Sequence, residues 1–89
     1  MNEPYLEITF RHGRPLAAYL YLPRAGKENS ARTEQVAPGL LVDFTAGGRP
    51  MGLEITAPGM VSAATINRVL ADLGLSPLPE ADLSPLKAA

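Results

Sequence analysis

Hydrophobic and polar positions alternate through residue 56 and then switch to a helical period, so a sheet followed by a helix is the expected order. From Tyr5 to Arg11, Leu6, Ile8 and Phe10 share one face while Glu7, Thr9 and Arg11 take the other, the pattern of a half-buried strand. His12-Gly13 supplies a turn. In the next run Leu16, Ala18, Leu20 and Leu22 fall on one side and Ala17, Tyr19 and Tyr21 on the other, so the two runs predict a hairpin. Residues 24–30 are polar and include Gly26, Lys27, Glu28 and Asn29, which reads as an exposed, mobile loop. Residues 31–36, where Thr33 and Val36 stand among polar neighbours, suit a short edge strand.

A second hairpin follows the turn at Pro38-Gly39. Leu40, Val42 and Phe44 alternate with Leu41 and Asp43; Gly47 and Gly48 suit a loop that needs positive φ; and Met51, Leu53 and Ile55 alternate with Gly52, Glu54 and Thr56. Pro58-Gly59 ends that strand. Ile66, Val69, Leu70 and Leu73 then lie on one stripe of a helix over 62–73. Ser62 is placed to cap its start, with Val61 and Ile66 at the staple positions, and Gly74 to end it in a left-handed conformation with Leu75 packing back on Leu70. Beyond it, leucines spaced between prolines predict an extended tail over 75–89 docked by Leu78, Leu83 and Leu86, with one helical turn available to 79–82.

The expected architecture is a single α+β domain over 1–89. It has a small twisted antiparallel sheet of about five strands over 5–56, made of two hairpins and an edge strand, packed by one short C-terminal helix and the Pro/Leu tail. The pattern leaves the strand order open. Hydrophobic residues form 46% of the 89-residue chain and charged residues 19%, a composition that folds rather than staying disordered. So short a chain buries only about 60–65% of its unfolded surface, so partner surfaces weigh heavily in its stability. The net charge of −1 lacks the basic excess that grips phosphate backbones. The absence of cysteine excludes disulfides, thiolate metal sites and a cysteine nucleophile. Met1-Asn2-Glu3-Pro4 shows no basic stretch leading into an apolar one, and no apolar run approaches the ~20 residues of a membrane span, so a cytoplasmic location is expected.

Little in the chain carries chemistry. The only histidine, His12, sits in a turn without an orienting partner or ligand cluster. Gly47-Gly48 has no following lysine or helix N-terminus, so it is turn chemistry and not a phosphate loop. Asp43 and Glu54, on the two strands of the second hairpin, form a candidate polar site where carboxylates across from each other or diagonal share a proton or a divalent ion; pairing with arginine or solvation is the simpler explanation. Tyr5, Tyr19 and Tyr21 form a candidate aromatic interface on the second face of the sheet, unless the helix and tail cover them.

The run Leu40-Leu41-Val42-Asp43-Phe44, through Gly48-Arg49, to Met51-Gly52-Leu53-Glu54-Ile55 resembles the small prokaryotic domain of unknown function twenty-two eighty-three, marked by a Val-Asp-Tyr-Asp stretch, a Gly-Arg turn and a Val-Gly-Ile-Glu-Ile strand. The resemblance extends from Tyr5 to about Pro58. Phe44 stands where that family has tyrosine, Thr45 where it has an acidic turn residue, and 12–15 lacks its acidic pair. The resemblance implies a β-rich sheet with a short helix in uncharacterised proteins, some of them companions of small toxin-like proteins. Together these readings favour a non-catalytic binding or assembly module over an enzyme: a homodimer joined by a sheet edge or the tyrosine face, or an antitoxin-like partner of another small protein. No catalytic, cofactor-binding or metal-ligating residue is singled out and no cofactor is expected. A small hydrolase or metal-dependent activity on Asp43 and Glu54 is the alternative, and single-stranded nucleic-acid binding on the tyrosines a third.

Overall fold

Residues 3–23 and 29–87 are described by a computed structural model of the chain. Five strands, β1 (Tyr5–Arg11), β2 (Arg14–Tyr21), β3 (Arg32–Ala37), β4 (Leu40–Phe44) and β5 (Pro50–Ile55), pair antiparallel in the order β1-β2-β5-β4-β3. This is the α+β sheet that the alternation predicts, with β3 at an edge. The expected loop over 24–30 falls mostly on 24–28, outside the described residues.

Strand order follows burial. Strand β5, whose Met51, Gly52, Leu53 and Ile55 are buried, takes the centre, and the polar β3 takes an edge where one side faces water. In the β1–β2 turn His12 and Gly13 have φ of 53° and 76°, as a two-residue type I′ turn requires. Leu16 is an extra residue of β2 between the pairs Thr9–Ala17 and Phe10–Pro15, a bulge beside a proline that has no N–H to place.

One face of the sheet supplies Ala18, Leu20, Leu40, Val42, Leu53 and Ile55 to the core, and Ile66, Val69 and Leu70 of α1 (Ala63–Asp72) close over them. Both ends of α1 are set as its sequence predicts. The Ser62 hydroxyl accepts from the Thr65 N–H at 3.1 Å, with Val61 and Ile66 buried on either side of the cap. At the other end Leu75 N–H bonds Leu70 C=O at 2.8 Å and Gly74 N–H bonds Ala71 C=O at 3.0 Å, a Schellman closure that Gly74 permits with φ of 78°. No helix among the described residues is long and apolar enough to cross a membrane.

The tail docks through Leu83 and Leu86, both buried, with Leu78 half-buried against the same core. It is not extended throughout: α2 (Glu80–Leu83) and a 3-10 turn (Ser84–Lys87) coil its last part. Coiling brings Leu83 and Leu86, three residues apart, onto one side, whereas an extended path would point them to opposite sides. A contact with no hydrophobic signal holds the tail to the helix. The Asn67 side chain donates to Leu78 C=O at 3.0 Å and accepts from Leu78 N–H at 2.8 Å, so one amide completes the backbone of a segment without a strand neighbour. Asn67→Ala is expected to cost about 1–3 kcal/mol, since both partly buried Leu78 groups lose their partner. Chemical denaturation and Leu78 amide exchange check this, and unchanged exchange at Leu78 would show that the bracket does not hold the tail.

Candidate functional site

The face of the sheet opposite α1 carries two cross-strand rows. One runs Tyr5, Tyr21, Gly52, Asp43, Thr33, and the other Glu7, Tyr19, Glu54, Leu41, Gln35. Every member of both rows sits at an alternate position of its strand, the residues between them taking the opposite face, which is why a period of two gathers them here. Tyrosines and carboxylates dominate, and neither row contains a cation.

The centre of the face is built around a missing side chain. Tyr19 lies diagonally from Gly52, and a Cβ on Gly52 would overlap the Tyr19 ring. Because Gly52 has none, the ring lies flat across β5 and its hydroxyl donates to Asp43 Oδ2 on β4 at 2.7 Å. The other carboxylate oxygen, Oδ1, accepts from the Thr33 hydroxyl of β3. Asp43 therefore receives a hydroxyl from each side, and β2, β4 and β3 are tied by side chains alone across the intervening β5. Neither Gly52 nor Thr33 stands out as a site residue in the sequence, although a glycine inside a strand is a signal that another group approaches closely.

Tyr21 completes the arrangement. Its ring stacks on Tyr5 at 4.6 Å with 12° between planes and meets Tyr19 at 4.7 Å with 53°, and its hydroxyl donates to Glu7 at 3.1 Å. The three tyrosines thus form one continuous aromatic surface, with Tyr5 44% exposed and Tyr19 and Tyr21 half-buried. No described helix packs on them; α1 and the tail lie on the opposite face.

Asp43 and Glu54 share this face diagonally: Asp43 is paired with Gly52, and Glu54 with Leu41. Asp43 is engaged by the two hydroxyls, while Glu54 is exposed. Among the described residues no group of three or more His, Asp or Glu side chains could hold a metal ion, and His12 lies exposed in its turn. The Tyr19 phenol is held well above the ordinary tyrosine range, first by its partial burial, then by the hydrogen bond to Asp43 and the negative charge of Asp43. At neutral pH it therefore stays protonated and donates to Asp43.

Two outcomes follow from this geometry. Gly52→Ala is expected to cost about 1–3 kcal/mol by displacing the Tyr19 ring. The same change should be nearly neutral in a Tyr19→Ala background, and equal costs in both backgrounds would show that Tyr19 is not the obstacle. Below the unfolded-state tyrosine value of about 10 the contribution of the Tyr19 proton to stability is fully present. As pH rises above it the unfolded chain releases a proton that the fold retains, so stability falls. Urea titrations from about pH 8 to 11 should show a steeper decline for the native chain than for Tyr19→Phe. Parallel declines would mean that the phenol is not perturbed.

No curated protein and no solved structure matches the chain. Strand β1 lies outside the segment that a family match covers, so Tyr5 and Glu7 stand beside a core formed by Tyr19, Asp43 and Gly52. Residues 17–57, which contain those three residues and most of the sheet, match the family described as Protein of unknown function (DUF2283).

Proposed function

We propose that the protein is a cytoplasmic, non-catalytic binding module that works through the tyrosine face of its sheet, with another protein as its partner: a second copy or a small heterologous protein of the antitoxin-companion kind. The observation that carries this reading is the aromatic surface of Tyr5, Tyr21 and Tyr19 on the face that no described helix covers. Tyrosine rings offer a large contact area at low conformational cost, and these rings are already stacked and hydrogen-bonded, so binding has little left to order. Glu7, Asp43 and Glu54 among the rings favour a neutral or basic protein surface and repel phosphate, which argues against nucleic acid.

The reading of Asp43 and Glu54 as a hydrolytic or metal site has less support, because both oxygens of Asp43 are taken by hydroxyls. A photo-crosslinking residue at Glu54, exposed in the middle of the face, tests the binding reading against the same residue at Arg68, exposed on α1. In cells of the native host, discrete adducts are expected from position 54 and not from position 68. Equal yields from both positions, or none from 54, would remove the basis for a binding face.

A further inference from the structure

The two edges of the sheet are not alike. Strand β3 presents Arg32 and Glu34, ends before Pro38, and has Val36 out of register between Gln35 and Ala37, the charges and irregularity that discourage pairing at an edge. Strand β1 also carries one acid and one arginine, Glu7 and Arg11, but both lie on the tyrosine face, its outer-edge positions Leu6, Ile8 and Phe10 are apolar, and the irregularity of the β1–β2 pair is an extra residue on β2.

Hydrogen-bond parity shows which backbone groups of β1 face outward. Leu22 N–H bonds Met51 C=O of β5 at 3.0 Å, so the even positions of β2 point to β5, and Tyr19 and Tyr21 point to β1. Their partners Glu7 and Tyr5 accordingly turn their backbone groups inward. Leu6, Ile8 and Phe10 are left with N–H and C=O at the open edge, and these are also the apolar side chains of β1. Leu6 and Ile8 are only partly buried and Phe10 is 51% exposed. Beside them, between β1 and the tail, runs a groove of about 470 Å³ lined by Leu6, Ile8, Leu20, Leu78, Ala81 and Pro85 among others.

We infer that the β1 edge is a dimerisation edge, on which a second copy of this chain adds its own β1 antiparallel about a two-fold axis at Ile8. In that register Ile8 faces Ile8 of the second copy and Leu6 faces Phe10, so every outward backbone group on both strands finds a partner. Phe10 of each copy comes to lie beside Leu6 of the other, at the groove, and removes its exposed ring from water. On the opposite face Arg11 of one copy falls beside Tyr5 and diagonal to Glu7 of the other, placing a cation against the ring and the carboxylate. The two sheets become one, with the tyrosine faces continuous across the axis. A register centred between two residues would oppose inward-facing groups to outward-facing ones, and one centred on Glu7 or Thr9 would leave Phe10 or Leu6 without a partner on β1. This goes beyond the binding reading of the tyrosine face and stands or falls without it.

Light scattering coupled to size exclusion, across a concentration series of the full chain, reads the mass directly. The expected mass is twice the 9.4 kDa of the chain at high concentration. Ile8→Pro removes an outward N–H that the fold itself does not use, and should raise the dissociation constant about tenfold or more at unchanged circular dichroism. Phe10→Glu provides a second variant should the proline impair folding, with the same result expected. Register is read by cysteine pairing, since the chain has no cysteine of its own. An oxidised mixture of Glu7→Cys and Thr9→Cys chains should crosslink, because these positions face each other across the axis, while either variant alone should not. A monomer at every concentration, a dimer that survives both edge substitutions, or crosslinking by a single variant would each overturn the inference.

Discussion

A chain of this length can cover only one face of a five-stranded sheet, and most of the structure answers to that limit. The covered face takes nearly all the large aliphatic side chains, and a ten-residue helix with a short coiled tail closes over them. Burial of this kind scales with the area removed from water, so a thin cover leaves each contributing leucine important. It is therefore consistent that the helix has both ends specified and that the tail is fastened by Asn67 at a point where hydrophobic contact alone would leave Leu78 N–H and C=O without partners.

The uncovered face is stabilised by other means. Its side chains reach across strands and satisfy one another: Tyr19 crosses β5 over Gly52 to Asp43, Thr33 meets the same carboxylate, and Tyr21 stacks between neighbours. The segment 17–57 that matches the family holds most of this network, and the arrangement gives a physical role to the Asp and Gly of the motifs by which the resemblance was made. Asp43 is the acceptor that gathers hydroxyls from both flanks, and Gly52 is the space through which the ring passes. Such a role needs no reaction to explain it. A face held this rigidly is also well suited to binding, because its aromatic area is already ordered.

The same limit of size bears on the edges. A large sheet hides its edge strands under helices or loops, whereas here the cover stops near β1 and leaves Leu6 and Ile8 half-exposed. The two edges differ in regularity: β3 is broken by Val36 out of register, whereas β1 keeps its own residues in step.

Much of the fold was legible in the sequence because it depends on local periods and local chemistry. Alternation marked four strands, Thr33 and Val36 among polar residues marked the fifth as an edge, the switch to a spacing of three and four marked α1, and Ser62 and Gly74 bounded it, since caps and turns are decided by residues a few positions apart. Parity also placed Tyr19 and Tyr21 on one side of their strand and offered Tyr5, and Asp43 with Glu54, as partners there; the pairing register decided that they share the face. Tertiary structure decided what depends on which strands become neighbours. Placing β5 between β2 and β4 put Gly52 beneath Tyr19 and Asp43 within reach of its hydroxyl, a contact that spans three strands and has no signature at any sequence spacing. The tail likewise coiled because the core set the direction of Leu83 and Leu86, and Asn67 found its role only when that tail returned to the helix.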